Sequence, residues 1–250
     1  MTTAPAADQE RLLDVQALDT RLAQLAHRRQ TLPALASLEA ARAELADSSR
    51  EEVTARTEVR DLAREVAKAE GDVEQVRARA DRDRARLDAG TGSAKDLQAL
   101  ASELDSLARR QAVLEEIELE AMERLEDAER SHERISGKLS ELSGTVSALE
   151  AEVDAETAHI DAEAAQVEAA REEAARGLDA GLLALYSRLR EQRGGLGAAA
   201  LRGSRCEGCR LELNPTDLAA IRAMRPDDVA RCEECGRILV RIPDGRGAAT

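Results

Sequence analysis

The chain has no Trp, no Phe and a single tyrosine, Tyr186, in 250 residues. A large globular core normally draws much of its buried area from aromatic side chains, so a core of that kind is not expected here. No apolar run approaches the roughly 20 residues that span a bilayer. The opening stretch MTTAPAADQERLLDV has no basic segment followed by an apolar run, so neither a signal peptide nor a membrane contact is expected. A cytoplasmic location follows as the default, and there the four cysteines stay reduced and free to bind metal.

An excess of basic charge is also missing. The net charge is −14, and it is uneven: from Leu201 onward nine Arg face eight Asp and Glu, so the acidity lies in the first 200 residues. A chain this acidic does not advertise general binding to nucleic acid or anionic membranes, because phosphates repel carboxylates.

What the chain has in abundance is Ala, Leu, Glu and Arg, with 34% of residues charged. That composition fits long helices or disorder, and periodicity decides between them. Steps of three and four lead from Leu97 through Leu100, Leu104, Leu107, Gln111 and Leu114 and onward past His132 to Ala174. Of the 23 positions in this frame, 18 are apolar, which marks a coiled-coil seam. Upstream the same spacing links Val59, Leu62, Val66, Ala69, Val73, Val76 and Ala80, with an earlier stretch at Val15, Leu18, Leu22 and Leu25. Pro33 lacks the N–H of the helical ladder and predicts a break near residue 33. Around Ser48 to Glu52 the seam is weak.

The Gly-rich segment DAGTGSAKD, 88–96, separates two arms of similar length, which predicts an antiparallel hairpin. At 1.5 Å per residue such a rod reaches about 120 Å. GTGSAKD lacks the spacing of a phosphate loop and any strand before it, so it reads as a turn, with Ser93 capping the next helix. His27, His132 and His159 stand without a partner cysteine or carboxylate cluster. His132, on the seam, is expected to set register.

Gly177 and Gly181 loosen the long helix. Leu182, Leu183, Leu185, Tyr186 and Leu189 then mark a shorter amphipathic helix that Gly194–Gly195 stop. Tyr186 is expected to pack at this junction with its hydroxyl at the edge.

Beyond it lie Cys206-x-x-Cys209 and Cys232-x-x-Cys235, with 22 residues between the pairs. Each C-x-x-C turn sets two thiolates on one side of a tight loop, and two such loops complete a tetrahedron. This predicts one structural Zn2+ held by Cys206, Cys209, Cys232 and Cys235, with no coordination position left open. Gly208 and Gly236 are expected to give the knuckles backbone freedom. RLEL (Arg210–Leu213) and RILVRI (Arg237–Ile242) read as short strands. Asn214 and Pro215 open a short helix between them. So small a domain buries too little to stand alone, so chelation is expected to unfold the ribbon and spare the rod.

The stretches SAKDLQALASELDSL, LLALYSRLREQRGG and RCEGCRLEL…RCEECGRILVR resemble the bacterial coiled-coil proteins with a C-terminal C4-type zinc ribbon, the CdsZ/FlgZ-like group. The resemblance spans essentially the whole chain. It implies an antiparallel coiled-coil hairpin capped by a zinc ribbon, no enzymatic activity, and an adaptor or chaperone-like regulatory role. The group is also described as predicted nucleic-acid-binding.

The expected architecture is therefore mainly α. A coiled-coil hairpin spans 1–176, a junction helix and linker 177–200, and the C4-type zinc ribbon 201–250. The expected function is a non-enzymatic zinc-binding coiled-coil adaptor or chaperone-like regulator that binds a macromolecular partner, expected to be a protein, through rod and ribbon, with no small-molecule substrate. The alternative is nucleic-acid binding through the ribbon arginines Arg202, Arg205, Arg210, Arg222, Arg225, Arg231, Arg237 and Arg241. Interleaved acids, the net −2 of four thiolates on one Zn2+ and the missing aromatic platforms weigh against it. No nucleophile–base pair, phosphate loop or open metal site points to an enzyme.

Overall fold

A computed structural model describes residues 2–242. Among the described residues five helices are formed: α1 (Ala6–Gln30), α2 (Pro33–Asp88), α3 (Ala94–Ala175), α4 (Ala180–Gln192) and α5 (Pro215–Ala223). Four short strands complete the fold, β1 (Ala198–Arg202), β2 (Arg205–Cys206), β3 (Ala230–Arg231) and β4 (Ile238–Arg241). The long helices form a coiled-coil hairpin, with a small strand-containing ribbon after it. Pro33 is the first residue of α2, where its missing N–H has no helical partner to lose. The chain divides into two compact units, Ala36–Ala151 and Met1–Leu35 with Glu152–Thr250.

In the first unit α2 and α3 run antiparallel. Pairs across them descend in step: Arg42 with Glu150, Glu44 with Lys138, Glu65 with Arg124, Arg77 with Glu115 and Arg79 with Glu103. Val66, Ala69 and Val73 are buried against the seam of α3, where Leu104, Leu107, Leu114, Ala121, Ala128 and Val146 lie. Every position of the α3 frame read from the sequence is shielded except Ala170. At the turn Ser93 caps α3: its Oγ accepts from the Asp96 N–H at 3.3 Å while Asp96 Oδ2 accepts from the Ser93 N–H at 3.0 Å.

His132 is not alone, contrary to what its sequence context suggested. Its Nε2 lies 3.0 Å from Glu52 Oε1, in the stretch where the α2 seam is weakest. The same stretch buries Ser48, whose hydroxyl has no hydrogen-bond partner among the described residues. A polar pair thus stands where apolar residues lapse, and it fixes register rather than adding burial.

The second unit packs α1, the end of α3, α4 and the ribbon mainly around two adjoining cores, beside a smaller cluster of Leu25, Leu32 and Ile160. One joins Leu12 and Val15 of α1 to Leu182, Leu185, Tyr186 and Leu189 of α4 and to Ala198, Ile238 and Val240 of the sheet. The other, inside the ribbon, holds Leu201, Leu213, Ile221, Ala230 and Leu239 with Cys206 and Cys232. The sheet runs β2-β1-β4-β3, with β1 and β4 parallel and both outer pairs antiparallel. β1 begins at Ala198, inside the segment expected to be linker. Its three alanines promise little as a strand, yet Ala198 and Ala199 are buried, one in each of the two cores. Residues 2–4 also join the ribbon: Thr3 bridges Asp228, and the Val229 N–H donates to the Thr2 carbonyl at 3.1 Å.

Two expectations need correction here. Arg210–Leu213 is not a strand. Arg210 takes a left-handed φ of 60°, which turns the chain, and only Glu212 pairs, in a single bridge with Arg205. Tyr186 does pack at the junction, but its hydroxyl is not at the edge. The residue is fully buried, and its O–H donates to Asp19 Oδ2 at 2.6 Å.

Candidate metal centre

The two knuckles are built alike. In the first, the Arg210 N–H returns to the Cys206 carbonyl at 2.8 Å and the Cys206 N–H donates to the Leu211 carbonyl at 3.0 Å. In the second, the Gly236 N–H returns to Cys232 at 2.7 Å and the Cys232 N–H donates to Arg237 at 2.9 Å. The residue after each second cysteine is left-handed, Arg210 at φ 60° and Gly236 at φ 70°. Gly236 therefore has the role expected of it. Gly208 has a different one: its backbone is ordinary, but an added Cβ would stand 3.0 Å from both Ala199 Cβ and Arg237 Cδ. Space, not backbone freedom, selects glycine there.

Cys206 ends β2 and Cys232 follows β3, both buried; Cys209 and Cys235 sit half-buried in the turns. All four Sγ atoms lie within 4.8 Å of one another, with Cys206–Cys235 and Cys209–Cys232 each at 3.9 Å. A zinc ion about 2.3 Å from each sulfur of a tetrahedron sets neighbouring sulfurs about 3.8 Å apart, so the cluster fits one zinc ion. The separations are far beyond the roughly 2.05 Å of a disulfide, and all four cysteines are free. The donor set, four thiols and nothing harder, is that of a structural site.

The electrostatics of the four thiols are divided. Burial pushes the Cys206 and Cys232 thiols up, Cys232 to about 12. Burial also raises Cys235, but hydrogen bonds from the Arg237 backbone N–H and guanidinium outweigh it. With help from Cys232 and Cys209 they bring that thiol down to about 7. Zinc must displace protons from the raised thiols, so binding is coupled to deprotonation. Arg237 is a partner of the cluster that the sequence suggested only as a strand residue and a phosphate contact. Its signal, an arginine immediately after C-x-x-C-G, is visible in retrospect.

The other ribbon arginines are also engaged with the protein itself. Arg241 donates to the carbonyls of Met224, Arg225, Pro226 and Asp228 at 2.7–3.1 Å, closing the loop before β3. Arg237 holds the Leu196 carbonyl at 2.8 Å and Arg193 at 3.1 Å, while Arg231 holds Gly236 at 2.9 Å. Arg205 donates to the Arg210 carbonyl at 3.0 Å, Arg222 reaches Gly203 at 3.4 Å, and Arg225 pairs with Asp228 at 2.9 Å. Of the eight, Arg202 and Arg210 alone make no side-chain hydrogen bond among the described residues.

A second polar centre escaped the sequence reading. Asp19, with its side chain 1% exposed, accepts from Tyr186, from Arg171 Nε at 2.9 Å and from Arg190 Nη1 at 3.1 Å. One turn earlier, Gln16 Oε1 accepts from the Gly197 N–H at 2.7 Å. Both residues occupy inward positions of α1 that a purely apolar frame passes over.

Residues 15–194 match the CT398-like coiled coil hairpin domain, and residues 205–239 match the C4-type zinc ribbon domain. Uncharacterized protein Rv2229c of Mycobacterium tuberculosis is 38% identical over 239 residues, covering 96% of this chain and 97% of that protein. Uncharacterized protein ML1638 of Mycobacterium leprae is 29% identical over 88% of this chain and 95% of its own. Among solved structures, one from Mycobacterium smegmatis superposes with a TM-score of 0.84 at 34% identity, over 96% of this chain and all of that one. CT398 from Chlamydia trachomatis shares the fold, with a TM-score of 0.68 at 20% identity over 94% and 98% of the two chains. A hairpin matched over most of the chain, followed by a C4 ribbon with its four sulfurs gathered, places this protein in the CT398-like family of coiled-coil hairpin proteins with a zinc ribbon.

Proposed function

We propose that this protein is a non-enzymatic adaptor that engages a protein partner through its coiled coil and its zinc-built ribbon. The observation that carries this reading is the use of the ribbon's cations. Six of its eight named arginines hold backbone carbonyls of this chain or Asp228, which leaves few for a phosphate backbone. The metal cluster supports the non-enzymatic part: four thiolates fill a tetrahedral zinc shell and leave no position for a substrate or an activated water. Among the described residues no helix is long and apolar enough to cross a membrane.

The test is affinity capture of the full chain from native lysate, with and without nuclease, beside a binding assay on a labelled RNA pool at two salt concentrations. A protein partner retained after nuclease treatment supports the adaptor. Tight, salt-sensitive RNA binding that is lost on neutralising Arg202 and Arg210 would replace it with the nucleic-acid reading.

A further inference from the structure

A glycine inside a helix normally answers a need for space or for an unusual backbone. Gly137 and Gly144 of α3 answer neither. Both hold ordinary helical backbone, and a Cβ added at either meets nothing within 4 Å. Alanine would fit both places and favour the helix more. Each glycine follows a serine, Ser136 and Ser143, so two Ser–Gly pairs stand seven residues apart on one exposed face. Such pairs are among the few sequence features at which helices kink. Residues 136–147 hold seven of the eleven Ser, Thr and Gly residues of this 82-residue helix, so the weakness is concentrated there.

The facing helix weakens at the same level. Glu44 pairs with Lys138 and Glu52 with His132, which sets residues 44–52 of α2 against 132–138 of α3. Ser48, with its unpartnered hydroxyl, is buried in that stretch. Apolar side chains of the α2 seam are fully buried at Leu38 and again at Ala55. Those of the α3 seam are fully buried at Ala128 and again at Val146, with Ile135, Leu139 and Leu142 half-buried between. Three threonine hydroxyls donate to the carbonyl four residues back: Thr54 to Arg50 at 3.0 Å, Thr57 to Val53 at 2.8 Å and Thr145 to Glu141 at 3.0 Å. Bonds of this kind loosen and bend helices.

We infer that residues 44–57 of α2 and 132–147 of α3 form a bending joint built into the coiled coil. Little apolar burial holds the two helices together there, and the Ser–Gly pairs let α3 open on its outer face. The His132–Glu52 pair keeps the helices in register across the joint. The inference concerns the coil alone and does not depend on which partner the protein engages.

The test uses the full zinc-loaded chain with nitroxides on ketone-bearing residues, which leaves the cysteines untouched. One label pair replaces Glu126 and Ala151, across the joint, and an equally spaced pair replaces Ala101 and Glu126, beside it; all three positions are exposed. Pulsed electron-spin distance measurements should give a distribution about twice as wide or wider across the joint as beside it. Gly137→Ala with Gly144→Ala should narrow it to the width of the neighbouring pair and slow amide exchange over 132–147 about tenfold or more. Both substitutions enter open space, so circular dichroism should find the variant folded. Gly71→Ala, at a glycine of α2 that also has open space around it, should change neither reading. Equal widths for the two wild-type pairs, an unchanged width in the double variant, or equal narrowing with Gly71→Ala overturns the proposal.

Discussion

The hydroxyl of Tyr186 donates to Asp19 Oδ2 at 2.6 Å, in a site where the tyrosine is fully buried and the carboxylate nearly so. Arg171 and Arg190 complete the carboxylate's shell, so one acid ties α1 to α3 and α4. A buried charge is tolerable when every partner is present, and its cost appears when one is removed. Asp19→Ala should therefore destabilise the protein by about 3 kcal/mol or more in denaturant unfolding. Tyr186→Phe should cost less, about 1.5–3 kcal/mol, because one hydrogen bond to a charged acceptor is lost. An Asp19→Ala chain as stable as the wild type would show that the cluster holds nothing.

The same pair makes a pH prediction that a single-tyrosine chain can report cleanly. Burial first, then the hydrogen bond and charge of Asp19, push the Tyr186 hydroxyl far above its ordinary range. A folded-state pKa raised above the unfolded value of about 10 contributes stability that is present below that pH and lost above it. Absorbance at the tyrosinate wavelength should thus stay flat past the usual phenol midpoint and rise only as the chain unfolds. An ordinary midpoint near 10 in the folded protein would mean that the hydroxyl is in water.

The knuckles differ at one equivalent position, and the difference is testable. Arg210 and Gly236 hold the same left-handed backbone, which costs a non-glycine residue about 1–2 kcal/mol. Gly236→Ala should lower stability by about that amount, with a drop in zinc retention against a competing chelator. Arg210→Gly should be neutral to slightly stabilising, since relief of strain is partly offset by a freer unfolded chain. Equal losses from both changes would contradict the equivalence of the two turns.

Chelation should act in two tiers. The inner ribbon core includes Cys206 and Cys232 themselves, whereas the adjoining core is held by α1, α4 and the parallel β1–β4 pair. Removing zinc is therefore expected to shift the amide resonances of residues 205–239 strongly. Helical circular dichroism should persist, and the Asp19–Tyr186 cluster should stay protected. Loss of helical signal on chelation would show that the metal supports the whole fold.

Much of this was legible from periodicity and spacing. A frame of threes and fours from Leu97 to Ala174 found the shielded face of α3, and the paired C-x-x-C units found the cluster, because both signals are local. What stayed hidden depends on partners distant in sequence. Asp19 and Gln16 look like solvated helix positions until α4 and the chain before β1 fold over them. β1 hides in three alanines, since its placement reflects pairing with the distant β4 rather than strand propensity. The arginines of the ribbon read as a cationic surface until their carbonyl partners are seen. Arg210 shows the same limit locally: a strand-like stretch lost its strand to one left-handed residue needed by the knuckle.

The central claim is that Cys206, Cys209, Cys232 and Cys235 together hold one zinc ion that builds the ribbon. X-ray absorption at the zinc edge, with metal counting on the purified chain, tests it directly. The account predicts one zinc per chain with four sulfur neighbours at about 2.3 Å. A shell containing nitrogen or oxygen, or zinc retained at full occupancy after Cys232→Ser, would contradict it.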